Sequence, residues 1–153
     1  MIRRALESDI NTILELLGEV NLVHHLGRPD IFKRATKYTN DELVKIINDD
    51  TNPIFVYVDD KSVLGYIFLQ TIKHENDNIL TDIKTLYVDD LCVSKNKRGS
   101  GIGKALYLYA KKYAKENGYY NVCLNVWNFN KDAYEFYMSL GLKPLKTYLE
   151  EKI

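Results

Sequence analysis

Cysteine, proline and glycine are all sparse in this chain, with 2, 3 and 8 among 153 residues. Two cysteines exclude a fold stapled by several disulfides. Cys92 and Cys123 also lack the Cys-x-x-Cys or Cys/His spacing of a zinc site, so two free thiols and no bound metal are expected. Because no Gly-, Ser- or Pro-rich linker interrupts the sequence, a single domain is predicted over residues 1–153.

Net charge and long apolar runs are missing as well. The 21 basic side chains cancel the 21 acidic ones, which argues against a generally basic nucleic-acid binder. No stretch approaches the roughly 20 apolar residues of a membrane helix. The N-terminal segment MIRRALESDI has no apolar run of signal-peptide length. The sequence therefore predicts a cytoplasmic protein with neither a membrane nor a nucleic acid as partner.

The spacing of apolar residues predicts an α/β fold with a mixed, mostly antiparallel central sheet flanked by helices. Strands are expected at 1–5, 53–59, 62–72, 83–93 and 120–126, and one or two edge strands in the tail 142–153. Helices are expected at about 10–17, after 39, at 101–117 and at 131–140, with an irregular segment at 22–38. Gly18 is expected to end or loosen the first helix, and Thr39 with Glu42 to form a capping box.

The segment from Val93 to Ala105 (VSKNKRGSGIGKA) is the most informative one, because a strand leads through a glycine-rich loop into a helix. Glycine lets the backbone approach an anion, and the first N–H groups of a helix have no partners within it. Seven basic residues and no acidic one lie between Leu91 and Lys115: Lys95, Lys97, Arg98, Lys104, Lys111, Lys112 and Lys115. The pattern predicts a phosphate-binding loop.

Two common phosphate motifs do not fit this loop. A P-loop needs Gly in place of Arg98 and Ser or Thr in place of Ala105. A dinucleotide-binding G-x-G-x-x-G needs a third glycine where Lys104 stands. What remains is R-x-x-G-x-G, formed by Arg98, Gly101 and Gly103.

That segment, with the strand DLCV before it, resembles the acetyl-coenzyme A motif of the GNAT N-acetyltransferase superfamily. Residues 130–142 (NKDAYEFYMSLGL) are similar to the family's N-x-x-A-x-x-F-Y-x-x-x-G-F segment, with Leu142 in place of the last Phe. The resemblance implies a sheet with splayed central strands and transfer of acetyl from acetyl-coenzyme A to a primary amine of a small molecule, peptide or protein. It further implies direct transfer in a ternary complex, and it is compatible with a homodimer.

The resemblance also implies which residues hold the coenzyme. The loop and helix N-terminus would bind its pyrophosphate through Arg98, Gly99, Ser100, Gly101, Ile102, Gly103 and Lys104. The pantetheine arm would pair with the backbone of Leu91, Cys92 and Val93, in the cleft where this strand splays from the next. Asn130 would bond to the arm from the far side.

Acetyl transfer to an amine requires a general base and a general acid. A primary amine with a pKa near 10.4 must lose a proton before it attacks, and Asp89 and Asp90 are the candidate bases. Strand alternation turns them to opposite faces, so one is expected to face the cleft, and the choice between them stays open. A backbone N–H near Cys92 or Val93 would stabilise the oxyanion. By its match to the family motif, Tyr137 would protonate the departing thiolate, although such a tyrosine alone is typical of core packing.

Two other functions remain as alternatives. The chain could be a module that binds and senses acyl-coenzyme A without turnover. It could also bind nucleic acid through Lys104, Lys111, Lys112 and Lys115, which fit a solvated helix face equally well. The segment from His24 to Tyr38 is predicted to be a surface loop and, by the resemblance, one wall of the acceptor site, with Arg28 as a candidate for an acceptor's acidic group.

Overall fold

The computed structural model describes residues 1–153 and contains one five-stranded sheet with four α-helices. The strands are β1 (Ile2–Arg4), β2 (Ile54–Asp59), β3 (Ser62–Lys73), β4 (Lys84–Val93) and β5 (Asn121–Cys123). They stand in sequence order, and every neighbouring pair is antiparallel except β4 and β5, which are parallel. The predicted mixed, mostly antiparallel sheet is confirmed.

The helices cover both faces of the sheet. They are α1 (Ile10–Gly27), α2 (Asn40–Ile47), α3 (Ile102–Glu116) and α4 (Lys131–Ser139). Side chains of α1 and α2 form one core with Val56, Tyr66 and Phe68 of the sheet. On the opposite face, Leu106 of α3 packs in a second core with Leu69 of the sheet. Because β3 is covered on both faces, its middle is a continuous apolar run rather than an alternating one.

Helix α1 extends well beyond the predicted end, because Gly18 does not stop it. A single helical glycine costs about 1 kcal/mol relative to alanine, and the buried stripe through Ile13 and Leu17 outweighs that cost. The helix ends at Gly27, where a Cβ would lie 2.3 Å from the ring of Phe129. The prediction of an irregular segment at 22–38 is therefore wrong for residues 22–27, and His24 and His25 lie in the last helical turn.

The other helix boundaries follow local signals. Thr39 Oγ1 accepts from the Glu42 amide at 3.3 Å and Glu42 Oε2 accepts from the Thr39 amide at 2.7 Å, which confirms the capping box. Gly101 is the N-cap of α3. Asn130 is the N-cap of α4 and accepts from the Ala133 amide at 3.2 Å.

The predicted edge strands at the end of the chain are not formed. Residues 140–153 contain no strand, and β5 is shorter than predicted. The tail makes no backbone hydrogen bond to the free edge of β5, and a strand needs a hydrogen-bonding partner to persist. The C-terminal arm, residues 143–153, is held instead by ion pairs from Arg28 to Glu150 at 2.7 Å and from Lys152 to Asp30 at 3.5 Å. None of the helices combines the length and apolar character needed to span a bilayer.

Candidate functional site

Strands β4 and β5 separate part-way along their length. Their pairing covers only Thr85–Tyr87 against Asn121–Cys123. From Val88 to Val93, β4 therefore has a strand neighbour on its β3 side only. Backbone N–H and C=O groups on the open side are available to an extended ligand, as at any unpaired strand edge. Leu91, Cys92 and Val93 all lie on this open stretch.

A β-bulge brings Asp89 and Asp90 to the same side of the sheet. Phe68 lies opposite Asp90, whereas the next residue of β3, Leu69, lies opposite Val88, so Asp89 is the extra residue. Asp90 thus shares the α1/α2 face with Phe68, and Asp89 bonds to Tyr38, which stacks on Phe68. The expectation that alternation separates the two carboxylates is wrong.

Asp89 is fully engaged by neighbouring donors. Lys37 Nζ donates to Asp89 Oδ1 at 2.9 Å and to its backbone carbonyl at 3.0 Å. The hydroxyl of Tyr38 donates to Oδ2 at 2.6 Å, and the carboxylate is only 10% exposed. Burial and the bond to Asp89 raise the pKa of Tyr38, so its phenol stays a donor. Asp89 therefore already holds one ammonium group of the chain itself.

Asp90 is the freer carboxyl group. It accepts one hydrogen bond, from the hydroxyl of Tyr66, at 3.0 Å. Burial raises the pKa of Asp90 to about 6, against the opposing effects of the Lys37 charge and the Tyr66 bond. A carboxylate that titrates near neutral pH suits a general base.

Tyr137 on α4 is packed by its ring and free at its hydroxyl. The residue is 8% exposed, and its ring centroid lies 5.0 Å from that of Phe136 and 6.4 Å from that of Tyr107. No buried side-chain oxygen or nitrogen lacks a partner, so the unpaired hydroxyl of Tyr137 borders open space. Burial, followed by the Asp90 charge, raises the pKa of Tyr137. The phenol is thus protonated at neutral pH.

The glycine-rich loop presents free N–H groups at the start of α3. Gly99 and Gly101 have φ values of 78° and 84°, in the left-handed region that favours glycine. No side chain caps α3, and the amides of Ile102, Gly103 and Lys104 have no acceptor in the protein. These features fit a phosphate group.

The basic side chain of the motif is already paired. Arg98 Nε donates to the Val93 carbonyl at 3.2 Å, and its guanidinium lies 3.5 Å from Glu19 Oε2. Glu19 also accepts from the Lys95 amide at 3.1 Å, whereas Ser100 Oγ donates to the Lys97 carbonyl. Glu19 was not predicted, because only the tertiary fold brings α1 beside the loop.

An aromatic cluster joins the end of α1 to the segment that follows β5. His24 stacks on Phe32 with centroids 4.9 Å apart, Phe32 contacts Trp127 at 5.1 Å, and Trp127 stacks on Phe129 at 5.8 Å. Burial, then the Lys37 charge, lowers the pKa of His24, so the imidazole is neutral at pH 7. Trp127 and Phe129 were not predicted from the sequence. The sequence shows them only as two aromatic residues just before Asn130, the N-cap of α4.

A cavity of about 200 Å³ opens beside Asp89. Tyr38, Phe68 and Gln70 line it together with residues of α2 and the turn that follows. Arg28, the candidate for an acidic acceptor group, does not line it and pairs with Asp30 and Glu150. The cavity places polar and aromatic groups next to the bulge.

Cys92 does not offer a nucleophile. Its side chain faces α1, where Sγ lies 3.6 Å from the Leu16 carbonyl. Burial, followed by the Asp90 charge, raises the pKa of Cys92 to about 12. The thiolate is the reactive form, so this thiol is inert at neutral pH. Both cysteines are free.

The sheet, its splayed strands and the loop at α3 define an acetyltransferase fold, and comparison with known proteins agrees. The model of the acetyltransferase (GNAT) family matches residues 20–142. The chain belongs to this family, whose members transfer acetyl groups.

Individual relatives are distant in sequence and close in structure. The chain is 30% identical over 83 residues to an uncharacterized N-acetyltransferase in the pepI 3' region of Lactobacillus delbrueckii subsp. lactis, which covers 54% of this chain and 47% of that protein. The chain thus spans about half the length of that relative. A crystal structure of a mutant BH1408 protein from Bacillus halodurans superposes with a TM-score of 0.96 at 26% identity, over 100% of this chain and 99% of that one. A Trypanosoma brucei acetyltransferase shares the fold at a TM-score of 0.73 and 21% identity, over 100% and 99% of the two chains.

Proposed function

We propose that this chain is an acetyl-coenzyme A-dependent N-acetyltransferase that acts on a primary amine. The observation that carries the proposal is the bulge at Asp89, which sets two carboxyl groups beside the unpaired edge of β4. Lys37 already seats a primary ammonium against Asp89 there. Because Lys37 and Tyr38 already occupy Asp89, Asp90 is the carboxyl group left for an incoming amine.

The residues present fit the coenzyme. The free amides at the start of α3 suit its pyrophosphate, and Leu91, Cys92 and Val93 offer an unpaired strand edge to its pantetheine arm. Asn130 uses its side-chain oxygen to cap α4, which leaves its amide N–H groups for a ligand. When bound, acetyl-coenzyme A would supply an acetyl group activated as a thioester.

Asp90 is the base that the geometry favours. Asp89 is engaged by two donors, whereas Asp90 has one. With a pKa of about 6, Asp90 is ionised at neutral pH, so it can accept a proton from the acceptor ammonium through water. Asp89 then serves to hold Lys37 and Tyr38 in place.

Tyr137 is the acid in this proposal. Its hydroxyl has no protein partner, and its pKa is raised by burial and by Asp90. A neutral phenol beside the cleft can donate its proton to the departing sulfur. Backbone N–H groups on the open edge of β4 can stabilise negative charge on the acyl oxygen. With Cys92 protonated, direct transfer between the two bound substrates is the simplest mechanism.

The acceptor is a cationic amine in this account. The cavity beside the Asp89 carboxylate is lined by the aromatic rings of Tyr38 and Phe68. Aromatic faces attract cations by about 0.5–2 kcal/mol, and this cavity of about 200 Å³ accommodates a small amine or one extended side chain. Charge and shape together favour alkylamines over neutral or acidic acceptors.

Separate measurements of binding and turnover test the proposal. Titration calorimetry should show acetyl-coenzyme A binding to the wild type and to Asp90→Asn alike, since Asp90 is not among the groups assigned to the coenzyme. Turnover against a panel of primary alkylamines should fall about 100-fold in Asp90→Asn, in the range of a lost general base. Binding without turnover on any amine would instead identify a module that senses acyl-coenzyme A, and equal turnover by Asp90→Asn would remove Asp90 from the mechanism.

A further inference from the structure

One lysine of this chain reaches the proposed active site. Lys37 Nζ donates to Asp89 Oδ1 at 2.9 Å and to the Asp89 backbone carbonyl at 3.0 Å. Neither Asp89 nor Asp90 accepts a bond from any other lysine. A primary amine of the protein itself is therefore held at the bulge of β4.

The backbone beside this lysine is anchored, whereas the lysine side chain is not enclosed. Tyr38 donates to Asp89 Oδ2 at 2.6 Å and stacks on Phe68 with centroids 5.6 Å apart. The side chain of Lys37 is 44% exposed, and it lies in the stretch between α1 and α2, residues 28–39, which contains no helix or strand. The four-carbon stem of a lysine is flexible. The Lys37 amine can therefore leave Asp89 and still stay close to the bulge.

The proposed path of the coenzyme ends at the same place. Its pyrophosphate is assigned to the amides at the start of α3, which follows β4 in the chain. Its pantetheine arm is assigned to the open edge of β4 at residues 91–93. Because the arm runs away from α3, back along β4, its thioester end comes next to Asp90 and Asp89. Lys37 thus holds its ammonium group where the acyl group arrives.

The groups that would serve an external amine are also within reach of Lys37. The Lys37 charge lowers the pKa of Asp90, so the ammonium and this carboxyl group interact electrostatically. Asp90 bonds to the hydroxyl of Tyr66 and not to Lys37, which leaves it able to accept a proton. Tyr137 remains the acid on the other side of the cleft.

We propose that this chain acetylates itself on Lys37, in cis. The inference rests on the proposed function, because it uses the same coenzyme, base and acid. The Lys37 ammonium passes one proton to Asp90, and the neutral amine forms a bond from Nζ to the acyl carbon as the carbon–sulfur bond breaks. Tyr137 gives its proton to the sulfur and recovers one from the new amide nitrogen. The products are acetyl-lysine, free coenzyme A and one released proton.

The modification ends after a single event in each chain. The amide nitrogen of acetyl-lysine carries one N–H and no charge, so it cannot make both bonds to Asp89. It is also no longer a nucleophilic amine. Self-acetylation is therefore counted as one acetyl group per chain, whereas turnover on an external amine continues.

Mass spectrometry of the full chain tests the proposal. After incubation with acetyl-coenzyme A and no added amine, we expect one acetyl group per chain, located on Lys37 in the digested peptides. Labelling of Lys37 should be about 100-fold faster than that of Lys33, because only Lys37 lies beside a general base. Lys37→Arg should abolish this fast phase. The matched control is Lys33→Arg, which changes an exposed lysine of the same segment and should keep the fast phase.

The reaction order and a second variant complete the test. Transfer within one chain is first order, so its rate constant should stay the same over about a hundredfold range of protein concentration. Asp90→Asn should lower that rate constant about 100-fold, as a lost general base does.

Several results would overturn transfer in cis. They are labelling spread evenly over exposed lysines, a fast phase that survives in Lys37→Arg or Asp90→Asn, and a rate constant that rises with protein concentration. Turnover of alkylamines without labelling of Lys37 overturns this inference and leaves the proposed function standing. Neither reaction, in a chain that binds the coenzyme, overturns both.

Discussion

Asp90 makes the stability of this protein depend on pH in an unusual direction. Its pKa is about 6 in the folded chain, because burial disfavours the charged form, whereas an unperturbed aspartate has a pKa of 3.8. Below pH 3.8 the group is neutral in both the folded and unfolded states. As the pH rises towards 6, the unfolded chain loses the proton first, so the folded state loses stability. Above the folded pKa the loss is complete.

The magnitude follows from the size of the shift. About two pKa units correspond to about 3 kcal/mol, of which about 2 kcal/mol is lost between pH 4 and pH 7. Asp90→Asn removes this titration and keeps an oxygen that can accept from Tyr66. Relative to the wild type, the variant should therefore gain about 2 kcal/mol in unfolding free energy on going from pH 4 to pH 7.

Urea denaturation of both proteins at pH 4 and pH 7 gives the difference between their unfolding free energies at each pH. The change in this difference between the two pH values is the double difference. Contributions from the other titrating groups are common to both proteins and cancel to first order. A matched comparison is Asp9→Asn, because hydrogen bonds from Arg3 and the Leu6 amide outweigh burial and hold the pKa of Asp9 below its usual value. Its double difference should have the opposite sign. A flat or inverted result for Asp90→Asn would refute the buried-carboxylate reasoning.

Three further predictions follow from the site and its supports. Tyr137→Phe should bind acetyl-coenzyme A as the wild type does but lower kcat by about 10- to 100-fold; unchanged turnover in steady-state assays would exclude the phenol as the acid. The pH profile of kcat/KM should have an acid limb near pH 6, set by Asp90. Lys37→Met should move that limb to higher pH, because the Lys37 charge lowers the pKa of Asp90. A limb that stays in place would contradict the assignment of Asp90 as the base. Gly27→Ala should lower the unfolding free energy, measured by urea denaturation, by about 1–3 kcal/mol, since its Cβ would lie 2.3 Å from an aromatic ring. Gly18→Ala in the same helix has open space around the new Cβ and should raise the unfolding free energy by about 1 kcal/mol. Equal effects at the two positions would show that the ring moves aside freely.

Local signals predicted most of the scaffold. Thr39 and Glu42 cap α2, and Gly101 and Asn130 cap α3 and α4, because each cap depends on residues within one turn. The glycine-rich loop could be predicted for the same reason, because its backbone conformation depends on Gly99 and Gly101 themselves.

Features that depend on distant partners could not be read from the sequence. The bulge at Asp89 exists only in the register with β3, so simple alternation placed the two carboxylates on opposite faces. The pairing of Glu19 with Arg98 and of Lys37 with Asp89 joins segments far apart in the chain. The tail alternates like a strand, but ion pairs to Arg28 and Asp30 hold it, and it does not pair with the free edge of β5.

The central claim is that free amides at the start of α3 hold the pyrophosphate of acetyl-coenzyme A. Titration calorimetry with the wild type and Gly101→Val tests it most directly, because valine is strongly disfavoured at a φ of 84°. We expect saturable binding to the wild type and affinity at least about tenfold weaker in the variant, a difference of about 1.4 kcal/mol. No binding by the wild type at about 1 mM coenzyme, or equal binding by both proteins, would contradict it.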